Sequence, residues 1–199
     1  MIVAYERAGL VAHSKRLLHE LKRPDNIPRE TAIHILAGAG RVEEATWVFR
    51  QAVDNGEVKD IAVFERMIDL FSKYKRYTNV IEVFDRMREK GYFPDSNVIA
   101  LVLNAYGKLH EFEKANSVYM ELQNEGCVFP DEVHFQMLSL MGARRDFDMV
   151  ETLFERLKLD PNIHKKDLHH VVAGIYERAN RLNDASRIVN QMSDEGILR

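Results

Sequence analysis

The chain of 199 residues is 46% apolar and 30% charged, with 28 Lys and Arg against 31 Asp and Glu. That balance excludes a disordered chain, and no apolar run approaches the roughly 18 residues of a membrane-spanning helix. A lone Cys127 excludes a disulfide framework and suits a reducing compartment. The net charge of −3 gives no global attraction to a polyanion, so such a ligand has to be held by a local basic stripe.

In chain order, Met1–Leu10 reads as the middle of a helix ending near Ala8-Gly9, with no leader or transit composition. Gly196-Ile-Leu-Arg199 directly follows another helix. Both ends therefore read as cuts through a longer protein. Between them a repeat of 35 residues governs the sequence. Phe49, Phe84, Tyr119, Phe154 and Val189 keep that step, as do Ala45, Val80, Ala115, Val150 and Ala185. So do Val48, Val83, Val118, Leu153 and Ile188, and Ala52, Met87, Leu122, Leu157 and Met192. Within a unit these positions fall at i, i+3, i+4 and i+7, the apolar face of one amphipathic helix. A second stripe lies upstream in every unit, through Ile33, Ile68, Leu103, Leu138 and Ala173, and through Leu36, Phe71, Tyr106, Met141 and Tyr176. Gly56, Gly91, Gly126 and Gly196 follow the second helix where a left-handed residue is favoured, and Pro94-Asp95 and Pro130-Asp131 open the next unit.

The fold class expected is thus all-α, a right-handed α-solenoid of helix-turn-helix pairs forming a single domain over 1–199. A partial repeat occupies 1–25, and repeats follow at 26–60, 61–95, 96–131, 132–165 and 166–199. Pro130-Asp131 falls one residue late. An insertion near Cys127, offset by a deletion early in the next first helix, accounts for it.

Thirty-five residues, two helices and a closing Pro-Asp resemble the pentatricopeptide repeat family, of the P type. Ile61–Asp95, IAVFERMIDLFSKYKRYTNVIEVFDRMREKGYFPD, looks nearly typical, and LNAYGK at 103–108 and AGAGRVEEATWVF at 37–49 are similar to family segments. The resemblance implies binding of single-stranded RNA along the first helices, each repeat reading one base with two or three side chains. The longer proteins of this kind act in plant organelles, the chloroplast before the mitochondrion, in splicing, transcript stability or translation. Carried onto this chain, it implies base-facing roles for the fifth residues Glu30, Glu65, Ala100, Gln136 (or Phe135) and His170. The same roles pass to the closing residues Asp60, Asp95, Asp131 and Lys165. It also implies base packing by Ile27 and Val133, and phosphate contact by Arg7, Lys73, Lys108, Arg144 and Arg178. No unit carries the family's usual pairing of Thr, Ser or Asn with Asp, Asn or Ser. The alternative reading is a protein-interaction scaffold for a basic partner at Glu30 and Glu65, or spacer repeats.

No cofactor, metal site or catalytic centre is expected. Gly38-Ala-Gly40-Arg41 lacks the strand and downstream residues of a phosphate loop. His164, His169 and His170 lack the Cys/His set of a zinc site and read as exposed or capping. Asp146, Asp148 and Glu151 lack a calcium-loop frame. Cys127, seven residues before His134, reads as a free thiol. An open terminal face including Ile175, Ile188 and Met192 predicts end-to-end association.

Overall fold

The computed structural model describes residues 16–17, 19–20 and 27–197. The partial repeat assigned to 1–25 lies almost wholly outside them. The described chain is an all-α solenoid of helix-turn-helix pairs, in ten helices. The first pair is α1 (Arg29–Gly38) and α2 (Val42–Asp54), followed by α3 (Ile61–Lys73) and α4 (Tyr77–Glu89). Then come α5 (Ser96–Lys108) with α6 (Phe112–Asn124), α7 (Asp131–Arg144) with α8 (Phe147–Lys158), and α9 (Lys165–Arg178) with α10 (Leu182–Asp194). Two compact units divide at Leu101 and Val102.

In the unit ending at Leu101, α1 packs on α2 and α3 on α4, while α3 also lies against both helices of the preceding pair. Phe49 and Phe64 meet edge to face at 5.6 Å across that junction, a geometry that favours aromatic pairs. In the unit beginning at Val102, α7 packs on α6, α8 and α9, and α9 packs on α8 and α10. Polar contacts join the helices here as well. Glu151 on α8 takes two hydrogen bonds from the Arg187 guanidinium of α10, at 3.0 and 2.9 Å, and one from the Tyr176 hydroxyl of α9 at 2.8 Å.

The apolar stripes of the sequence are the core. Every second-helix stripe residue is buried except Val118, half-buried, and Val189, which is 43% exposed. Ile175, Ile188 and Met192 are buried too, so they offer no open terminal face; Leu182 and Val189 are the exposed apolar residues of α10. The backbone keeps the period as strictly as the side chains. Gly40, Lys75, His110, Arg145 and Asn180, each 35 residues from the next, all have positive φ in the turn between paired helices.

One structural correction concerns α7. Val63, Val98, Val133 and Leu168 are buried in step, as are Met67, Val102, Met137 and Val172. Helix α7 therefore carries no deletion. Nor is a residue inserted near Cys127: Gly126 to Val133 is as long as Gly91 to Val98, and only the Pro-Asp pair is displaced, so that Pro130 stands where Asp95 stands one repeat earlier, directly before α7. Asp131 consequently sits in the first turn of α7, whereas Asp60 stands just before α3.

Two histidines belong to this core. His134 and His169 are in step with Phe64 and Ile99, and both are buried. His134 Nδ1 shares a hydrogen bond with the Tyr119 hydroxyl at 2.5 Å. His169 Nδ1 donates to the Lys165 carbonyl at 2.7 Å, so His169 is neither exposed nor a cap.

Candidate nucleic-acid interface

The carboxylates expected to face a ligand are largely engaged with backbone. Glu30 Oε1 accepts from the N–H groups of Lys59 and Asp60 at 2.8 and 3.0 Å, tying α1 to the start of α3. Asp60 accepts from the Ala62 N–H and Asp95 from the Val98 N–H, both as first-turn caps. Asp131 Oδ2 accepts from His164, from its backbone N–H at 3.0 Å and its ring Nδ1 at 2.8 Å. Partial burial of Asp131 works toward a higher pKa, but the His164 hydrogen bonds outweigh it and hold the carboxyl below its ordinary value. The same bonds raise the exposed His164 imidazole above 6.5.

Lys165 departs furthest from its expected place. Its ammonium donates to the Leu157 and Lys158 carbonyls at 3.1 and 2.6 Å, and to that of Asp160. These are carbonyls at and just past the end of α8, two of which, Leu157 and Asp160, also accept the N–H of Asp160 and Ile163. Lys165 thus caps a helix and is withdrawn from base reading. Val133 is 1% exposed and faces the core, so it offers nothing to a base. Its neighbour Glu132 is in step with Ala62, Asn97 and Asp167. Ile27 is half-buried ahead of α1.

Two clefts show which residues do reach solvent. In the first unit, Ala62, Glu65, Asp69 and Asn97 line a cleft with His34. Partial burial, then the charges of Asp95 and Asp60, push the Glu65 carboxyl above its ordinary pKa. In the second unit, a cleft between α7 and α9 is lined by Phe135 and His170, with Asp131, Glu132, His164 and Asp167 around them. Phe135, not Gln136, is in step with Glu65, Ala100 and His170. Ala100 and Gln136 are both half-buried.

Several basic residues pair with carboxylates, and three that recur with the repeat do not. Arg50, Arg76 and Arg86 pair with Glu82, Glu43 and Asp54 between neighbouring repeats of the first unit. In the second, Arg187 pairs with Glu151 and Arg144 with Glu113 at 2.7 Å. Arg144 is also one residue out of step, at the position after Ala143. By contrast Lys73, Lys108 and Arg178 close the last turns of α3, α5 and α9, exposed, with no ion-pair partner among the described residues. Arg7 lies outside the described residues. Among them, no group of three His, Cys, Asp or Glu residues is placed to hold a metal ion. Nor is any helix long and apolar enough to cross a membrane.

The model of the PPR repeat matches residues 63–92 and 101–127, the two units whose sequences look most typical. These are pentatricopeptide repeats. A chloroplastic pentatricopeptide repeat-containing protein of Arabidopsis thaliana is 75% identical over 71 residues, covering 36% of this chain and 10% of that protein. The chain thus matches about a tenth of its relative's length. Among solved structures, the maize pentatricopeptide repeat protein PPR10 superimposes with a TM-score of 0.75 at 22% identity, over 98% of this chain and 28% of the maize one. PPR10 in complex with an 18-nt psaJ RNA element gives 0.63 at 19% identity, over 98% and 29%. Nuclear proteinaceous RNase P 2 of Arabidopsis thaliana gives 0.68 at 14% identity, over 82% and 37%. At these identities the structural likeness concerns the fold.

The sequence alone did not reveal the capping roles of Glu30 and Lys165, and it left Phe135 open as an alternative to Gln136. The strict step of 35 from Glu65 through Ala100 to Phe135 was the signal for the last. For the first two there was none, because their partners are backbone groups.

Proposed function

We propose that this pentatricopeptide repeat chain holds single-stranded RNA along its first helices. It does so as a segment of a larger chloroplast protein acting on transcripts, in splicing, stability or translation. Each repeat drawn above contributes one position along the strand, with Lys73, Lys108 and Arg178 meeting phosphates. One observation carries the reading. Arg50, Arg86 and Arg187 on second helices are neutralised by carboxylates of neighbouring repeats, while Lys73, Lys108 and Arg178, which recur at the ends of first helices, are exposed with no ion-pair partner among the described residues. The chloroplast relative and the RNA-bound fold relative support it. Glu30, Asp60, Asp95 and Lys165 serve as structural caps, and Glu65, Ala100, Phe135 and His170 stand at base-facing positions.

The experiment is binding of a randomised single-stranded RNA pool across a salt series, beside a K73A/K108A/R178A variant. Three phosphate contacts on a single strand correspond to a change of about 2 in the slope of log affinity against log salt. That change, with weaker binding at every salt, is the expected outcome. An unchanged slope in the variant refutes the phosphate role.

A second reading has its own observation. Burial, then the charges of Asp95 and Asp60, raise the Glu65 pKa, and this group of carboxylates suits a basic protein partner. Absence of RNA binding at low salt, together with binding of a Lys-rich peptide that E65Q abolishes, favours it.

A further inference from the structure

The repeat pattern is broken at two places on the second helices. At the position of Met120 the other repeats carry Arg50, Asp85, Glu155 and Asn190, and at that of Met149 they carry Glu44, Asn79, Lys114 and Asp184. Each methionine thus stands where the period otherwise places a charge or an amide. The two come from different helices, Met120 from α6 and Met149 from α8, yet they line the same groove. The buried Tyr119 and Leu153 line it too. Met120 is 38% exposed and Met149 half-buried, so these exchanges make an apolar surface and leave the core as it was.

The charged residue at this groove is Arg156. It is in step with Arg86, whose guanidinium reaches the Asp54 carboxylate of α2 at 3.6 Å. Arg156 has no ion-pair partner among the described residues. It donates to the Gln123 amide oxygen at 3.0 Å and to the Met120 sulfur at 3.7 Å, both neutral. Met149, Leu153 and Arg156 fall at i, i+4 and i+7 of α8, so the cation lies about 10 Å along the helix from Met149. A groove that is apolar along its length and ends on an uncompensated guanidinium is complementary to a segment that is apolar along its length and ends on a carboxylate.

Size narrows the occupant. At about 250 Å³ the groove is smaller than the roughly 300–1,000 Å³ of sites that enclose a small molecule. It seats side chains projecting from a larger body. A helix laid along a groove offers such side chains at i, i+4 and i+7, and methionines adapt their shape to what enters between them. We propose that the α6–α8 groove docks an amphipathic helix of a partner protein, with aliphatic side chains against Met120 and Met149 and a carboxylate two turns away on Arg156. The proposal stands apart from the RNA reading, because Lys108 and Arg178 end first helices whereas this groove belongs to second helices.

The test uses the whole 199-residue chain with carbon-13-labelled methionine methyl groups, the two signals being identified through M120L and M149L. The probe is a synthetic alanine-rich helical peptide with Leu at i and i+4 and Glu at i+7. Both methyl signals are expected to shift together and to saturate. Exchanging the peptide's Glu for Gln, or R156Q in the chain, should weaken binding about tenfold, the worth of one charge-assisted hydrogen bond. M120E/M149K restores residue types that other repeats carry at these positions. It should keep the circular dichroism and melting temperature of the parent, lose binding of the fluorescently labelled peptide, and leave RNA affinity unchanged. Methyl signals that the peptide does not move overturn the proposal. Signals that move on dilution of the chain alone give the groove to a second copy, and signals that move with single-stranded RNA give it to nucleic acid; either result overturns the proposal as well.

Discussion

The hydrogen bond between Tyr119 and His134 should be worth more than either residue alone suggests. Both side chains are buried, at 1% and 4% exposure, with 2.5 Å between the hydroxyl and Nδ1. Y119F removes the hydroxyl and leaves the imidazole without that partner in a site closed to water. An unsatisfied buried group of this kind costs about 1–3 kcal/mol. H134I places at this position the residue that the repeat before it carries, Ile99, and removes the closest partner of the Tyr119 hydroxyl, which keeps Gln123 at 3.4 Å and the Arg156 guanidinium nearby. The double variant replaces both partners by apolar groups, a change that is nearly neutral when shape is kept. Urea denaturation of the four proteins at neutral pH should therefore show singles that each destabilise by about 1–2 kcal/mol and a double that loses less than their sum, with a coupling of about 1 kcal/mol or more. Acidification supplies an independent check. Burial, then the nearby Arg156 charge, lowers the His134 pKa from 6.5, so the unfolded chain takes up the proton first. The stability present above pH 6.5 then drains away as pH falls toward the folded-state value, by at most about 1.4 kcal/mol per pH unit. The two variants lacking His134 should lose less over the same range. Additive single effects, or identical pH profiles with and without His134, would refute the reasoning.

Three further outcomes follow from other residues. K165M should lower the melting temperature, because the three carbonyls around the ammonium lose a charged donor, at a cost of about 1.5–3 kcal/mol; an unchanged melt would show that water replaces it. E65Q should leave the protein less sensitive to rising pH above 4.5, since burial and the neighbouring Asp95 and Asp60 disfavour the ionised carboxyl and the unfolded chain gives up that proton first. Identical acid titrations of stability for parent and variant would contradict this. G142A should destabilise by about 1–3 kcal/mol through overpacking, since an added Cβ meets Ile175 Cγ2 on the facing helix and has two more Ile175 atoms within 3.4 Å. At Gly126, which faces open space, alanine has only the backbone strain of φ +90° to meet. Equal stability of G142A and the parent would mean that the two helices can separate freely.

The helices and most of the core were legible because burial recurs with the sequence period, and a stripe such as Val48, Val83, Leu153 and Ile188 admits one face and one period. The buried histidines were not, because His134 and His169 stand where Phe64 and Ile99 make the position apolar, and only packing reveals that each ring finds a hydrogen-bond partner for its Nδ1 there. Pro130-Asp131 misled the register of one unit. Proline and aspartate mark helix starts generally, and the sequence does not say whether the aspartate precedes the helix, as at Asp60, or opens it, as at Asp131. Base-facing residues were the least legible. A carboxylate can read a base or accept a backbone N–H, and Glu30 and Glu65 look alike in sequence while only one of them is engaged by Lys59 and Asp60.

The outward-facing stretch between Gly126 and Pro130 has a practical meaning. Val128, like Phe93 one period earlier, turns its side chain to solvent while Val133 and Met137 behind it stay buried. The stretch between repeats is therefore a natural mounting bracket, whose load the helices on either side need not register. A short peptide tag or a fluorophore-bearing cysteine placed at Val128 should be carried on the outside of the array without disturbing the packing of Val133 or Met137 beneath it. Protein engineers seeking a handle on such a scaffold would find it there, away from Lys108 and Arg178.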